Sequence, residues 1–476
     1  MSIASQSNII RILSGYNQWW QTRGVQKQFL KPAHRTVFRE ALRFLREERV
    51  RVIYMAGPHR TGRTALIHQL IQQLINDGTD PKHIVYMNFA HPFFSFLPID
   101  RFYSAFFENI CPDGLARTFC FFDDVQLSPD WEKSIARFCR DHPQATVIAS
   151  TAVRPETEAE DAVLLHMPPI SFYEYCQIAA GTEKIVSEPL PDCRELLEAD
   201  PARLRTIARQ AGRFRRQFMR YLYTGGFLNL VGESDDIKIQ RMIQKSVVGD
   251  ALLRDISICC NVRSSVDLEK IFLYLSFECP SVISFEAVMR DVDCVTRPTI
   301  EKYVQYLEKA CLLYRCHPYE FAGERMQKVQ PKIYLADGAI HNSLLMLNDV
   351  RISEGSMEKI VETAVYRHLR FSGPDSEEKR IFYQRGRGGG KNLNMILGGE
   401  KPVFLDVRYD SDVRLSRKDA ILARSGDAAL CLVITKADGM FGRVPDLPEN
   451  LFCIPASVFL FLIGHAKAEG REFLAL

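Results

Sequence analysis

Short apolar runs and longer helical patterns alternate along the first half of the chain. A run rich in β-branched residues ends at Gly57, and a helical pattern with apolar residues at positions 65–75 follows a short loop. Further apolar runs occupy residues 83–89, 118–122 and 146–149. Apolar runs this short, separated by helices, are typical of buried strands in a parallel sheet. We therefore predict an α/β fold built on a parallel sheet.

The same patterns divide the whole chain into five predicted segments. A helix–turn–helix pattern comes first, the α/β pattern follows, and an arginine-rich helical region leads into a second mixture of helices and strands. We predict an N-terminal helical segment, an α/β core, a helical lid, a winged helix and a C-terminal α/β domain, at residues 1–49, 50–180, 181–261, 262–325 and 326–476.

The loop after the first strand carries the glycine pattern of a phosphate-binding loop. Its sequence fits G-x-x-x-x-G-K-[S/T] except that Arg63 replaces the lysine. Glycines allow backbone N–H groups to surround a polyphosphate, and the helix N-terminus adds partial positive charge. The alternative is an ordinary strand–turn–helix, but strand and helix both stand where a phosphate loop needs them. We predict that the nucleotide contacts are Gly57, Pro58, His59, Arg60, Thr61, Gly62, Arg63, Thr64 and Ala65.

Two acids at the end of a later apolar run supply the second half of the predicted site. Asp123 and Asp124 follow the run at 118–122. An acid at this place can hold Mg²⁺ through water, and the next acid can orient the attacking water for hydrolysis. We assign the metal to Asp123 and Thr64, and the catalytic positions to Asp123 and Asp124. Ser150, at the end of another strand, either senses the γ-phosphate or is a plain strand-end hydroxyl.

The composition is that of an ordinary soluble globular protein. Hydrophobic residues make up 46% and charged residues 25%, and a net charge of +3 restricts any nucleic-acid surface to a local patch. Thirteen cysteines without a CxxC pair indicate reduced thiols. The polar start lacks a signal-peptide pattern, and the longest apolar run, near residues 457–464, is too short to cross a bilayer. We expect a cytoplasmic protein without membrane contact.

Six motifs in a fixed order resemble those of one protein family. They are Tyr-Asn-Gln-Trp-Trp at 16–20, Gly-Pro-His-Arg-Thr-Gly-Arg-Thr at 57–64, Phe-Phe-Asp-Asp-Val-Gln at 121–126, Pro-Pro-Ile-Ser-Phe-Tyr-Glu-Tyr at 168–175, Tyr-Leu-Tyr-Thr-Gly-Gly-Phe at 221–227 and Lys-Ile-Tyr-Leu-Ala-Asp at 332–337. The chain resembles prokaryotic AAA-type (STAND-like) ATPases that carry a winged helix and a C-terminal nuclease-like domain of the PD-(D/E)xK type. The resemblance implies a P-loop NTPase core that binds ATP or ADP with Mg²⁺ between core and lid.

Both catalytic motifs depart from the family pattern. The family's loop ends in Gly-Lys-Thr and its acid strand in Asp-Glu, whereas this chain has Arg63 and Asp124 at the altered positions. Arginine is bulkier, planar and forked, and aspartate reaches one methylene less far. Because a misplacement of about 1 Å can cost on the order of 100-fold in rate, we expect nucleotide binding with slow or absent hydrolysis. Such a protein would be a nucleotide-controlled switch or an assembly scaffold.

Three other functions compete with this hypothesis. An active DNA-associated ATPase would show turnover that DNA stimulates. A metal-dependent DNA nuclease would nick plasmid with Mg²⁺ or Mn²⁺, and a pure interaction module would have no affinity for nucleotide.

Residues 203–220 contain seven arginines and no acidic residue. One of these arginines can act as an arginine finger, in this subunit or in a neighbour within a homo-oligomer. The run can also face nucleic acid, or it can be a solvated helix face that pairs with acids elsewhere. The sequence leaves these three interpretations open.

The predicted winged helix and C-terminal domain are candidate surfaces for a DNA or protein partner. The third helix of the predicted winged helix mixes Glu301 and Glu308 with Lys302 and Lys309, which favours a packing or protein contact over DNA reading.

The resemblance also assigns residues to a degenerate nuclease site. It places Glu362 at the first acid, Asn394 at the metal aspartate, Asp406 at the second acid and Arg408 at the lysine. Metal-dependent hydrolysis needs converging carboxylates and a base that can release a proton. Because Asn394 is uncharged and arginine does not deprotonate in proteins, we expect no nuclease activity.

Overall fold

The computed structural model of the chain consists of two units. The first unit comprises Met1–Pro168, Gly249–Arg263 and Lys309–Cys311, and the second comprises Pro169–Val248, Ser264–Glu308 and Leu312–Leu476. The domain boundaries derived from the sequence stay predictions. The structure describes residues 5–95, 98–111, 117–128, 130–156, 160–186, 188–292, 296–321, 330–345, 354–373, 378, 380–385, 392–410, 413–436 and 440–475.

A five-stranded parallel sheet forms the centre of the first unit. Its strands are β1 (Val52–Ala56), β2 (Ile84–Asn88), β3 (Thr118–Asp123), β4 (Ala145–Thr151) and β5 (Ala162–His166). They lie in the order β2-β3-β4-β1-β5, and each neighbouring pair is parallel. Every residue of β1, β3 and β4 is buried, as expected for strands covered on both faces. The predicted parallel α/β core is confirmed.

Seven helices of the first unit precede or connect these strands. They are α1 (Gln6–Tyr16), α2 (Trp19–Thr22), α3 (Phe38–Arg46), α4 (Arg63–Asn76), α5 (Pro92–Ser95), α6 (Ile99–Asn109) and α7 (Trp131–Asp141). Helix α4 follows β1 after one short loop. Its buried apolar residues recur at helical spacing, which gives the helix one face for the sheet: Leu66, Ile67, Leu70, Ile71 and Leu74.

The N-terminal helices are tied to the edge strand β2 by side chains that bond to its backbone. Asn17 accepts a hydrogen bond from the N–H of Tyr86 at 2.6 Å and donates one to its carbonyl at 2.9 Å. The indoles of Trp19 and Trp20 both donate to the carbonyl of Ile84, at 3.2 and 2.8 Å. The tryptophan pair therefore anchors the leading segment, as its apolar bodies and polar tips suggest.

The second unit contains an eight-stranded mixed sheet. Its strands are β6 (Ser281–Val282), β7 (Leu313–Pro318), β8 (Lys332–Leu335), β9 (Ile381–Gln384), β10 (Leu393–Leu397), β11 (Val403–Arg408), β12 (Leu430–Thr435) and β13 (Leu451–Pro455). The order is β13-β12-β11-β10-β9-β7-β8-β6. Strand β10 runs antiparallel to both neighbours, whereas β11, β12 and β13 are parallel. This second sheet completes the predicted α/β fold class.

Most of the remaining helices belong to the second unit, and α13 belongs to the first. They are α8 (Phe172–Ala180), α9 (Cys193–Glu198), α10 (Pro201–Gly212), α11 (Arg215–Thr224), α12 (Asp236–Met242), α13 (Ile256–Cys259), α14 (Ser265–Glu278), α15 (Phe285–Val292), α16 (Arg297–Lys309), α17 (Gly338–Leu345), α18 (Glu354–Arg370), α19 (Ala420–Ala423) and α20 (Ala456–Ala468). A π-helical stretch, Ile243–Asp255, links α12 to α13. No helix in the described part of the chain combines the length and apolar character needed to cross a membrane.

The strand that follows α16 joins two regions that the sequence patterns separate. Strand β7 pairs antiparallel with β8 and parallel with β9. The hairpin after the three helices α14, α15 and α16 is therefore continuous with the C-terminal sheet. This continuity was not predicted, because the residues that pair β7 with β9, such as His317 and Phe382, are far apart in sequence.

We expect Asn17→Ala to destabilise the first unit by about 2 kcal/mol, because it removes the side chain that bonds to both buried backbone groups of Tyr86. Thermal and urea unfolding of the variant would measure the loss. Asn76→Ala, at the exposed end of α4, is the matched control and should change stability by less than about 0.5 kcal/mol. Equal effects of the two substitutions would contradict the anchoring role of Asn17.

Candidate functional site

The loop between β1 and α4 has a backbone path that its glycines make possible. A Cβ atom on Gly57 would lie 2.0 Å from the carbonyl oxygen of Met167, so no other residue fits without a shift of the backbone. Gly62, directly before α4, has a φ of 93°, in the left-handed region that glycine adopts without strain. The loop leads into the N-terminus of a 14-residue helix, whose free N–H groups favour an anion.

Two side chains hold this loop in place. The guanidinium of Arg35, which is 4% exposed, donates to the carbonyl of Thr61 and, at 2.9 Å, to the carbonyl of Pro168. Within the loop, the hydroxyl of Thr61 donates to the carbonyl of Pro58 at 2.9 Å. The loop is therefore shaped before any ligand arrives. Sequence reasoning missed Arg35, which belongs to no recognisable motif.

Arg63 lies at the start of α4 with its guanidinium 6% exposed. Its Nη2 donates to Oδ1 of Asp124 at 3.1 Å and lies 3.4 Å from Nδ1 of His59. Its Nη1 is buried and has no hydrogen-bond partner among the described residues. A buried donor without an acceptor is costly. The free Nη1 next to the loop therefore fits an anionic oxygen such as that of a phosphate.

The carboxylate of Asp123 is held by three hydrogen bonds. It is 1% exposed and accepts hydrogen bonds from Thr64 (2.7 Å), Tyr86 (2.9 Å) and Ser150. Burial, followed by the charge of Asp124, raises the pKa of Asp123 despite the hydrogen bonds from Ser150 and Thr64. Burial and the nearby Asp123 charge also raise the pKa of the Tyr86 hydroxyl. A cation near Asp123 would relieve this penalty on its carboxylate.

These oxygen ligands suit Mg²⁺. Magnesium in proteins is bound by one or two protein oxygens and keeps waters and phosphate oxygens as its other ligands. Thr64 and Asp123 place a hydroxyl and a carboxylate 2.7 Å apart at the end of the phosphate loop. Within the described ranges no group of three His, Cys, Asp or Glu residues could hold a metal by itself. The donor set therefore fits a magnesium ion that arrives with a nucleotide.

Asp124, the predicted base, has an unusual backbone conformation. Its φ is 54°, in the left-handed region. Its carboxylate accepts from Arg63 and, at 3.4 Å, from the amide of Gln126, while its N–H donates to Ser150 at 3.0 Å. Strain of this kind is typical of functional sites. The carboxylate that would orient water is instead engaged with the residue that replaces lysine.

A buried pair connects the phosphate loop to the segment 249–263. Nε2 of His59 bonds to Oδ2 of Asp255, whose side chain is fully buried, and Arg254 donates to the other oxygen at 3.2 Å. Burial alone would raise the pKa of Asp255, but the hydrogen bond and charge of His59, with Arg254, lower it overall. Sequence reasoning missed Asp255 because it lies 196 residues from His59.

The structure thus brings the predicted site residues to one edge of the first sheet. Residues 57–62 form the loop, Arg63, Thr64 and Ala65 begin α4, and β3 and β4 supply the acids and Ser150. The roles assigned to these residues stay predictions. The arginines of 203–220 belong to the second unit, so an arginine finger stays a prediction as well.

In the second unit, the predicted first acid of a nuclease has a cation beside it. The Nζ of Lys332, from β8, donates to Oε1 of Glu362 at 2.5 Å, and the hydroxyl of Tyr334 donates to the same oxygen at 2.7 Å. Both charged side chains are buried. Lys332 begins the motif at 332–337, but no sequence pattern indicated its ion pair with Glu362, which depends on how β8 packs against α18.

The other predicted nuclease residues are also partnered. Arg408 donates to Asp406 at 2.7 Å and to Asp419 at 3.2 Å. Burial raises the pKa of Asp406 to about 6, against the lowering effect of Arg408. Asn394 accepts from the N–H of Val407 at 2.8 Å, a contact between neighbouring strands. Each polar group is thus held by the protein itself.

Comparison with known proteins agrees with this geometry. Residues 49–176 match a family model described as an AAA domain, and residues 215–351 match one described as a domain of unknown function (DUF8612). The first unit thus carries an AAA-type P-loop ATPase fold, a class whose members bind nucleotides, usually with Mg²⁺. The predicted AAA-type core is confirmed at this level.

Individual proteins are more distant. An uncharacterized protein of Haemophilus influenzae is 20% identical over 290 residues, which are 60% of this chain and 67% of that protein. Among solved structures, the Walker-type ATPase PABY2304 of Pyrococcus abyssi has a TM-score of 0.36 and 11% identity, covering 65% of this chain and 94% of its own. The Aeropyrum pernix ORC1 protein in complex with DNA has a TM-score of 0.28 and 14% identity, covering 65% and 91%.

We expect Gly57→Ala to destabilise the first unit by about 3 kcal/mol or more, because its Cβ would overlap the Met167 backbone. Thermal unfolding of the purified chain measures this loss. The matched control is Gly15→Ala in α1, where a Cβ meets nothing within 4 Å. That change should stabilise by about 0.5–1 kcal/mol. Wild-type stability of Gly57→Ala would show that the loop path is wrong.

Proposed function

We propose that the chain binds ATP or ADP with Mg²⁺ at the β1–α4 loop and hydrolyses ATP slowly or not at all. The observation that carries this proposal is the state of Arg63. One of its terminal nitrogens is paired with Asp124, while the other is buried next to the phosphate loop without a partner among the described residues. The pairing with Asp124 supports weak catalysis. The buried nitrogen without a partner supports an anionic ligand.

Thr64 and Asp123 would hold the magnesium ion of this site. When bound, Mg²⁺ offsets phosphate charge and orients the polyphosphate. Backbone N–H groups of residues 57–62 and the N-terminus of α4 would bind the phosphate oxygens. The hydroxyl of Ser150 donates to the carboxylate of Asp123 and accepts from the N–H of Asp124. Ser150 therefore connects the proposed metal ligand Asp123 to the proposed base Asp124.

Hydrolysis is weak in this proposal because neither altered group is well placed. Arg63 is a planar fork in a place where a compact charge is usual, and it holds the carboxylate of Asp124 at 3.1 Å. A carboxylate held by a guanidinium is less free to take the position that orients the attacking water. The site therefore combines a complete cradle for phosphate with a base that is occupied.

The contacts of Arg63 also suggest how a nucleotide would act as a switch. Arg63 can pair fully with Asp124 or share its charge with a phosphate. If Arg63 releases the carboxylate of Asp124, the hydrogen bond between Asp124 and the amide of Gln126 would change. The carbonyl of Gln126 in turn accepts a hydrogen bond from the thiol of Cys259 at 3.5 Å. Both Cys259 and Asp255 lie in the segment 249–263, which is joined in sequence to the second unit on each side. We propose that this segment changes conformation when nucleotide binds at the site.

We further propose that residues 262–325 form a winged helix and that the C-terminal region is a degenerate nuclease-like domain. The order of elements from α14 through β7 supports the first assignment. The internal neutralisation of Glu362 by Lys332, and of Asp406 by Arg408, supports the absence of nuclease chemistry. The free thiols of the twelve cysteines in the described ranges support a reducing, cytoplasmic location.

The winged helix and C-terminal domain are the proposed surfaces for a DNA or protein partner. In α16, Arg297 pairs with Glu301 at 2.9 Å and Lys309 pairs with Glu156 at 2.7 Å. Cations that already have acidic partners are less available for phosphates. We therefore favour a protein partner for α16. Assembly into homo-oligomers, with an arginine finger from a neighbour, stays part of the proposal.

We expect calorimetry to detect binding of MgATP to the wild-type chain, while phosphate release stays slow. The double variant Arg63→Lys with Asp124→Glu should raise turnover by about 10- to 100-fold, since it restores the compact charge and the longer base. A phosphate-release assay at saturating MgATP measures both proteins.

Asp123→Asn in the double-variant background is the control, and it should abolish the gained turnover if this site is responsible. Absence of binding heat for the wild-type chain would refute the proposed function. Fast wild-type turnover would refute the part concerning weak hydrolysis, and turnover stimulated by DNA would support a DNA-associated motor instead.

Thr64→Ala tests the metal site separately from the phosphate loop. We expect the variant to lose about 10-fold or more in affinity for ATP in the presence of Mg²⁺, because one metal ligand is gone. In EDTA, variant and wild type should bind ATP equally, since the loop backbone is unchanged. Calorimetric titrations under both conditions give the comparison. An equal loss in EDTA would mean that Thr64 shapes the loop and does not hold metal.

A further inference from the structure

Helices α10 and α11 of the second unit form the most basic stretch of the chain. They and the residues that join them contain seven arginines and no lysine, aspartate or glutamate. Their combined charge exceeds the net charge of +3 for all 476 residues, so the rest of the chain is net negative. The basic charge is therefore concentrated in one place.

Three of these arginines form a stripe along the solvent side of α10. Arg205, Arg209 and Arg213 are exposed and are spaced four residues apart. Arg213 immediately follows α10 and keeps helical backbone angles. We call these three residues the arginine stripe. At a rise of about 1.5 Å per residue, the arginine stripe is about 12 Å long. The residues that α10 buries lie on its other side: Leu204, Ile207 and Ala211.

The arginine stripe has no acidic partners. Among the described residues, no carboxylate oxygen lies within 4.0 Å of the side chains of Arg203, Arg205, Arg209, Arg213, Arg215 or Arg216. Arg220, the last of the run, pairs with Asp236. Two acids that contact α10 do so without pairing with a guanidinium: Asp200 caps the helix by accepting from the backbone N–H of Arg203 at 2.7 Å, and Glu188 accepts from the amide of Gln210 at 3.4 Å. The six arginines other than Arg220 are thus solvent-exposed, as in the interpretation of a solvated helix face, and the pairing with acids is present for Arg220 and absent for these six among the described residues.

Such an arrangement costs stability in the free protein. Like charges at i and i+4 on a helix repel by roughly 0.2–0.5 kcal/mol per pair, and the arginine stripe has two such pairs. A polyanion that runs along the helix would remove this repulsion. Guanidinium groups suit phosphates in particular, because their planar fork binds two oxygens at once.

We infer that the arginine stripe binds the phosphate backbone of a nucleic acid. Charge complementarity identifies the partner class, since three unpaired guanidinium groups in a row match the repeated negative charge of a nucleic-acid strand. The surface differs from that of α16, in which Arg297 and Lys309 have acidic partners. The inference is independent of nucleotide binding at the β1–α4 loop.

The test measures binding of the full chain to labelled nucleic acid by fluorescence anisotropy. The probes are a duplex DNA and a single-stranded RNA of about 30 nucleotides each, at salt concentrations from about 50 to 200 mM. For the triple variant Arg205→Gln, Arg209→Gln and Arg213→Gln we expect affinity to fall by about 10-fold or more. The slope of log affinity against log salt should fall by about three, which is one for each lost phosphate contact. The two probes decide between DNA and RNA as the source of the phosphates.

A matched control removes the same charge from another surface. Arg101→Gln, Lys133→Gln and Arg140→Gln alter three exposed cations of the first unit and should leave affinity within about twofold. Replacing the arginine stripe by three lysines should keep most of the salt-dependent binding, because the charge remains. Thermal unfolding checks that each variant is folded, and a variant that unfolds is replaced by its three single substitutions.

Four results would overturn the inference. They are a wild-type chain that binds neither probe, an unchanged affinity and salt slope in the arginine-stripe variant, an equal loss in the control variant, and tighter binding of polyglutamate than of either nucleic acid. The last result would assign the arginine stripe to an acidic protein partner.

Discussion

The contact between Arg63 and Asp124 is the interaction on which the proposed function of this chain depends. The two positions at which the sequence departs from the usual ATPase motifs are 61 residues apart, yet their side chains meet at 3.1 Å. The two departures compensate each other. The forked guanidinium of Arg63 reaches the shorter side chain of Asp124, and Asp124 partly neutralises the buried charge of Arg63. In the function that we propose, this pair favours nucleotide binding over cleavage, because Arg63 already engages the carboxylate of Asp124.

An unpaired buried nitrogen is by itself weak evidence for a ligand. Arg117 and Arg370 also have one buried nitrogen each without a partner among the described residues. Arg63 differs because it stands at the N-terminus of α4, after a loop shaped by Gly57 and braced by Arg35. Several features that favour an anion therefore coincide at one place. Together, these features support an anionic ligand at the unpaired nitrogen of Arg63.

The sequence predicted the local parts of the site because each part is encoded locally. A strand, a glycine loop and a helix follow one another within about 25 residues, and parallel topology brings the carboxyl end of β3 to the same edge. Arg35 and Asp255 were missed because their roles arise from tertiary contacts and leave no pattern around them. The continuity of β7 with β9 was missed for the same reason, since pairing between distant strands has no local signal. The ion pair between Lys332 and Glu362 could not be predicted before β8 was placed beside α18.

The charged groups of the chain follow one physical rule with two outcomes. A buried charge requires a partner, and Glu362 and Asp406 have theirs in Lys332 and Arg408. An exposed charge has no such requirement, because water solvates it at little cost. The arginines along α10 are exposed and have no carboxylate partner among the described residues, so we infer for them a ligand outside the chain. The buried ion pairs of the second unit, in contrast, are explained by the fold itself.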